Sequence, residues 1–323
     1  MKKCILVTGA SGFIGQRVVK LLTSAKYDVK AFVLPGEADP SLFPPDVDLI
    51  HGDLTDFQKT YESTRDCNGI IHLAALVSDG GTELDHQRVT VGSTKNLFLA
   101  ARPGTRIVLA SSITVYGDNL GKIPCAETIG HGVAQGPYSR AKQAQENLAR
   151  TFLDGGGDVV ILRPANVYGP GSGPWVKDVI EQLSSGLPAL VDQGSGNAGL
   201  VCVDHVAQAM VNALDEAIKP GSVFNLCDEL EVTWCQYFED LANIVQEKKP
   251  VSIPGPLAHV IATVIERTWS FFSIAGRPPL SKEALNLIGN DLKIPADKSR
   301  EALNLTNQKS YQDVLVEIKA SLQ

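Results

Sequence analysis

Short apolar runs bounded by turn residues recur along the first two-thirds of this chain. They lie at Cys4–Thr8, Val29–Leu34, Asp48–His51, Gly69–Leu73, Arg106–Ala110, Val159–Leu162 and Leu200–Val203. Runs this short and continuous suit parallel strands buried on both faces, because a strand with one wet face would alternate apolar and polar. Between them, helical spacing predicts helices near 13–25, 84–102, 138–153 and 204–217. Regular strand–helix alternation predicts an α/β fold, a doubly wound parallel sheet with helices on both sides.

After Pro164 the texture changes. Residues 164–200 are rich in glycine and proline, which predicts loops leaving the sheet, and a strand at Val223–Leu226 is expected to return to it. From about residue 228 the pattern is mostly helical, broken at Pro250–Pro256 and Gly276–Pro279. The expected division is a dinucleotide-binding domain (1–165 plus about 200–227) and a smaller, discontinuous substrate region (166–199 plus 228–323). That region would close over the carboxyl edge of the sheet, where ligands bind in open α/β folds.

The apolar stretch 256–275 contains His259, Glu266 and Arg267, which argues against a spanning helix. Leu257, Val260, Ile261, Val264, Ile265 and Thr268 share one helical face, expected to pack on the core or on a dimer partner. Phe271, Phe272 and Ile274 extend the apolar surface, and an apolar substrate lid or a monotopic membrane contact is the competing reading.

Composition narrows the function. A net charge of −7 without any basic run argues against a nucleic-acid or anionic-membrane partner. The six cysteines have no C-x-x-C and no histidine at ligand spacing, so neither a disulfide framework nor a zinc site is expected. Free thiols in a reducing cytosol are the simpler reading. The N-terminal apolar run is broken by glycine too early for a signal peptide, so a cytoplasmic location is expected.

The first strand leads directly into Val7-Thr-Gly-Ala-Ser-Gly-Phe-Ile-Gly15, which opens a helix. Gly9 permits a tight turn, Gly12 lets backbone amides approach a pyrophosphate, and Gly15 allows close helix–sheet packing. The unsatisfied N–H groups of the helix start then suit phosphate oxygens, with Ser11, Phe13 and Ile14 completing the turn. The second strand ends in Phe32-Val-Leu34-Pro-Gly-Glu37, with no basic residue for an extra phosphate. NAD is therefore expected, with NADP as the alternative. Asp53 and Leu54 follow the third strand, where an acidic side chain can bind the adenine amino group or cap the next helix. Leu73, Ala74 and Ala75 follow the fourth, small enough for a cofactor to lie on the backbone, while His72 is expected to be a satisfied structural histidine.

Gly136-Pro-Tyr138-Ser-Arg-Ala-Lys142 opens another helix and puts Tyr138 and Lys142 on one face. A phenol is a weak base near neutrality, and a nearby ammonium with a nicotinamide cation would lower its pKa. Tyr138 could then exchange a proton with an alcohol or carbonyl, with Lys142 also holding the nicotinamide ribose. Ser111 and Ser112 leave the fifth strand. Ser112 is expected to orient the substrate oxygen, and a turn residue is the competing reading for Ser111.

Together these residues resemble the extended short-chain dehydrogenase/reductase family, which includes nucleotide-sugar epimerases and dehydratases, 3β-hydroxysteroid dehydrogenases and dihydroflavonol reductases. The resemblance rests on TGASGFIG at 8–15, GDL at 52–54, HLAA at 72–75, SSITVYG at 111–117, YSRAK at 138–142 and RPANVYGPG at 163–171. It implies that Pro164 and Ala165 line the nicotinamide and that Asn166 touches substrate. Two departures stand out. Thr90 replaces an asparagine usual in the family, and Gly194–Asp204 has no arginine where sugar-nucleotide enzymes commonly grip a diphosphate.

The reading that follows is an NAD(P)-dependent dehydrogenase/reductase for a secondary alcohol or ketone of a small apolar or mixed substrate. Tyr138 would be its acid/base, Ser112 and Lys142 its partners. The alternative uses the same site for nucleotide-sugar epimerisation or dehydration without net redox change. A nucleotide-binding regulator is a third reading, disfavoured because tyrosine and lysine are both present. A homodimer paired through helices 84–102 and 138–153 is expected.

Overall fold

The computed structural model describes residues 2–37, 39–77, 81–272, 278–305 and 309–323. Strands β1 (Cys4–Thr8), β2 (Asp28–Val33), β3 (Asp48–His51), β4 (Gly69–His72), β5 (Arg106–Ala110) and β6 (Asp158–Pro164) form the body of one parallel sheet. Strands β7 (Asn166–Tyr168), β8 (Leu190–Val191), β9 (Leu200–Cys202), β10 (Val223–Leu226) and β11 (Ser252–Ile253) follow. Of these β10 alone joins the main sheet, whose order is β10-β6-β5-β4-β1-β2-β3. The chain reverses direction across the sheet between β1 and β4, and their carboxyl ends open the crevice where such sheets bind ligands.

Alternation within each run explains why both faces are dry. Ile5, Val7, Ile71, Val108 and Val160 join one core cluster, while Leu6, Ile70, Ile107, Leu109 and Val159 join another on the opposite face. The first face is covered by α1 (Gly15–Ser24) through Val18, Val19 and Leu22. The second is covered by α4 (Gly92–Ala100) and α5 (Pro137–Asp154), through Leu97, Phe98 and Ala149. Burying each large aliphatic side chain contributes about 1.5–3 kcal/mol. The remaining helices are α2 (Phe57–Thr64), α3 (Glu83–His86), α6 (Asp178–Ser185), α7 (Val203–Asn212) and α8 (Trp234–Val245). They are joined by α9 (Gly255–Phe271), α10 (Lys282–Ile288), α11 (Asp297–Ala302) and α12 (Tyr311–Ser321).

The structure departs from the sequence reading at four places. The run at 200–203 does not enter the main sheet; β9 pairs with β7 in a separate two-stranded parallel sheet. The helix expected over 84–102 carries a π-type turn at Gln87–Val91 between α3 and α4. Thr90 lies in that turn, and its hydroxyl accepts the Leu76 N–H at 3.0 Å. The loop-like stretch 164–200 contains α6, ended by Gly186 in the left-handed conformation.

The fourth departure is α9. Its buried line is Ala258 and Ala262, both 0% exposed, whereas Leu257, Val260 and Val264 are 48–61% exposed and Thr268 is also exposed. Two alanines let the helix backbone lie close to Leu285 and Val191, so the larger side chains turn outward. Ile274 lies outside the described residues. No helix of the described residues is long and apolar enough to cross a membrane.

Candidate active site

The glycine turn sits at the β1/β4 crevice. Gly9 has φ +65°, and a Cβ there would meet the Ala74 amide nitrogen at 2.9 Å. The β1 turn and the residues after β4 are thus in contact, and Thr8 reinforces the junction. Its hydroxyl accepts from Ala74 N–H at 3.2 Å, and Leu73 N–H donates to the Thr8 carbonyl. Helix α1 starts at Gly15 with no side-chain cap from Ile14. Uncapped N–H groups above a cradle that a Cβ would fill fit a dinucleotide pyrophosphate. Ser11, Phe13 and Ile14 lie half-buried and Gly12 exposed along this turn.

A Cβ on Gly15 would lie 2.2 Å from the Gly9 carbonyl oxygen and 2.8 Å from Ala10 Cα. Both are backbone atoms without an escape route. Gly15→Ala is therefore expected to destabilise the fold by about 1–3 kcal/mol and to weaken dinucleotide binding. Thermal unfolding and an NAD titration check both effects.

Asp53 is exposed beyond β3 and accepts the Thr55 N–H at 2.8 Å; the cap of α2 is Asp56 instead. Leu54 is buried, and its carbonyl accepts from Asn96 of α4 at 2.9 Å. His72 is fully engaged, with Nδ1 on the Thr8 hydroxyl at 2.8 Å and Nε2 on the Thr94 hydroxyl at 3.0 Å. Burial, then the charge of Lys142, hold it down to about 3, so it stays neutral and structural.

The three residues expected to carry chemistry converge. Tyr138 begins α5 behind Pro137, half-buried, with Ser112 just beyond β5 near enough for its hydroxyl to favour ionisation of the phenol. Lys142 stands one turn on, 3% exposed, with its Nζ 5.7 Å from the Tyr138 ring centroid. That ammonium donates to the Ala110 carbonyl at 2.8 Å. Burial draws Lys142 down to about 8, and Glu146 partly restores it.

Among the chain's own groups, burial and the charge of Glu283 outweigh the Ser112 hydroxyl and hold the Tyr138 phenol above its ordinary value of 10.0. The lysine does not counter this, since its Nζ is turned to a backbone carbonyl. His86 of α3 presses edge-on to the tyrosine ring at 6.3 Å.

Ser111, the neighbour of Ser112, points elsewhere. Its hydroxyl donates to Glu146 at 2.6 Å, and Glu146 also accepts from Arg163 Nε and Nη2 at 2.8 and 2.7 Å. Arg163 continues to the Tyr116 hydroxyl, which donates to Asn225. This buried network clamps α5 to β6 and β10, beneath Tyr138 and Lys142. Sequence reading missed it. The available signal was a glutamate four residues after Lys142, on the same helix face.

Pro164 and Ala165 are buried at the end of β6. Asn166, 3% exposed, donates its amide to the Ala198 carbonyl at 2.7 Å and so ties β7 to the chain before β9. All six cysteines are free thiols.

A parallel sheet with this strand order, a glycine turn at its switch point and a Ser–Tyr–Lys cluster at its carboxyl edge defines a nicotinamide-dependent enzyme fold. Residues 5–227 match the family model described as the NAD dependent epimerase/dehydratase family, and the chain belongs to that family. It is 26% identical over 333 residues to a 2-alkyl-3-oxoalkanoate reductase of Stenotrophomonas maltophilia, covering 98% of each chain. To a UDP-glucose 4-epimerase of Vibrio cholerae it is 28% identical, covering 80% of each. Its fold matches the UDP-glucose 4-epimerase of Thermotoga maritima solved with UDP-glucose, at TM-score 0.76 and 22% identity, covering 99% of this chain and 98% of that one.

Proposed function

We propose that this chain is an NAD-dependent reductase, or in reverse a dehydrogenase, for a secondary alcohol or ketone on a small apolar or mixed molecule. The observation that carries this is the convergence of Tyr138, Ser112 and Lys142 at the β5–α5 junction. When bound, the nicotinamide supplies or accepts the hydride. Tyr138 gives its phenolic proton to the carbonyl oxygen in reduction and takes it back in oxidation. Ser112 holds that oxygen in line, and Lys142 binds the ribose beside the tyrosine. The glycine turn from Gly9 to Gly15 holds the pyrophosphate; Asp53 and Leu54 border the adenine. Leu73, Ala74, Ala75, Pro164 and Ala165 border the rest of the cofactor, and Asn166 anchors the substrate end.

A ketone is favoured over a sugar nucleotide by the 194–204 segment. It contains no arginine, and Ala198, Leu200 and Val201 are buried within it, so it offers no cation to a diphosphate. The reductase of Stenotrophomonas maltophilia, by its name, acts on an oxo group of an alkyl-bearing acid. NAD is favoured over NADP because Leu34, Pro35, Gly36 and Glu37 at the tip of β2 present no positive charge. A cytoplasmic homodimer fits the free thiols and the exposed Leu99 on α4.

The test offers purified protein NAD, NADH, NADP or NADPH with 3-oxo acids, hydroxysteroids, flavonol-type ketones and nucleotide sugars. Absorbance of the reduced nicotinamide reports net redox change. Turnover of a ketone with NADH, and more than tenfold less with NADPH, is the expected result. Conversion of a nucleotide sugar without net redox change would overturn it in favour of epimerisation.

A further inference from the structure

Two cysteines meet at the amino ends of the strands that open the crevice. Cys4 begins β1, and Cys67 lies just before β4, 63 residues further along the chain. Their sulfur atoms are 3.9 Å apart. The backbone fixes them there: the Asn68 N–H donates to the Cys4 carbonyl and the Cys4 N–H donates to Asn68 Oδ1, both at 2.8 Å. Immediately beyond, Ile5 and Gly69 stand in register in the parallel ladder of β1 and β4. A disulfide needs the sulfurs at about 2.05 Å, so each has to move by about 1 Å, within reach of side-chain rotation on a fixed backbone.

We propose that Cys4 and Cys67 form a site of reversible thiol oxidation, at which a peroxide converts the adjacent pair to an intramolecular disulfide. Cys4 is half-buried and within reach of a small oxidant, while Cys67 is 5% exposed and stands behind it. The Cys67 thiol, as a hydrogen-bond donor, draws Cys4 below the usual thiol value against the effect of burial; Lys30 adds to this, while Asp28 and Asp48 oppose it. The same contact, with burial, pushes Cys67 up. The thiolate is the nucleophile, so Cys4 attacks one peroxide oxygen and becomes a sulfenic acid. The O–O bond breaks, and the departing hydroxide takes the Cys4 proton to form water. The Cys67 sulfur then attacks the Cys4 sulfur, the S–O bond breaks as the S–S bond forms, and the hydroxyl leaves with the Cys67 proton as a second water. Two thiols lose two electrons and two protons, and the peroxide is reduced to two waters. Cys67 thereby acts as a resolving thiol that stops Cys4 short of irreversible sulfinic acid. In a reducing compartment such a bond is transient. It staples the strands at the end opposite the crevice, so the proposal stands whatever substrate the enzyme takes.

The test treats the folded full chain with hydrogen peroxide, blocks remaining thiols with N-ethylmaleimide and maps peptides by mass spectrometry without reduction. The expected product is one peptide pair joined through Cys4 and Cys67, lighter by two hydrogen atoms than the separate peptides and released by dithiothreitol. In Cys67→Ser, Cys4 is expected to gain two oxygen atoms as sulfinic acid, which dithiothreitol does not reverse. A parent protein in which Cys4 stays alkylatable, or reaches sulfinic acid without the cross-link, would overturn the proposal. So would a cross-link that joins Cys4 residues of two chains. If Cys67→Ser does not fold, the peptide map of the parent decides alone, because it needs no variant. No outcome depends on the reaction the enzyme performs.

Discussion

Tyr138→Phe is expected to lower turnover by about a hundred- to ten-thousand-fold, the range for removing a positioned general acid/base, with NAD affinity nearly unchanged. The phenylalanine ring keeps the edge contact with His86 and leaves Lys142 on the Ala110 carbonyl. What disappears is the hydroxyl that lies near Ser112 and that the proposed reaction uses to pass a proton to the substrate oxygen. Steady-state rates with a responsive ketone, alongside an NAD titration, check both halves. Turnover within threefold of the parent would remove Tyr138 from the chemistry and transfer the search to His86, the other titratable ring at the centre.

The second large effect is on stability. Glu146→Gln is expected to cost about 3–5 kcal/mol, because it leaves the Arg163 guanidinium buried without its counter-charge. The Arg163 and Glu146 side chains are 2% and 0% exposed, so solvent cannot compensate. Denaturant unfolding measures the loss. A second signature lies in pH. Burial alone would raise the Glu146 carboxyl, but hydrogen bonds from Arg163 and His131 bring it from 4.5 down to about 2. A carboxyl depressed in the folded state stabilises the fold fully above about 4.5, and that stabilisation fades as pH falls towards 2. The parent should therefore lose stability through that window, and Glu146→Gln should lose less. Parallel acid profiles for the two proteins would mean that the ion pair contributes no pH dependence.

Much of the sheet was legible because burial on both faces leaves a local mark. A five-residue apolar run such as Cys4–Thr8 or Arg106–Ala110 can hardly be anything but a central strand. The glycine turn was legible for a similar reason: Gly9 and Gly15 sit where side chains would strike backbone, so the sequence carries the constraint itself. The spacing of Tyr138 and Lys142 follows from helical geometry alone.

Other features depend on partners far away in sequence. The run at 200–203 reads as a sheet strand, yet pairs with Asn166–Tyr168, because the apolar signal records burial and not the identity of the neighbour. The stripe on α9 reads as a core face by spacing, but small Ala258 and Ala262 won the contact and turned Leu257, Val260 and Val264 outward. Close backbone approach rewards the smallest side chains, which hydrophobic periodicity weights least.

The sequence by itself determined the parallel sheet, the dinucleotide turn and the pairing of a tyrosine with a lysine, since each is written in residues close along the chain. Tertiary structure decided which serine lies near Tyr138, how Glu146 ties α5 to the sheet, and that Glu283 reaches the first turn of α5 from the C-terminal region. It also decided that the phenol stands above its ordinary value. Burial and charge are sums over everything nearby in space, and for Tyr138 those neighbours come from four separate parts of the chain.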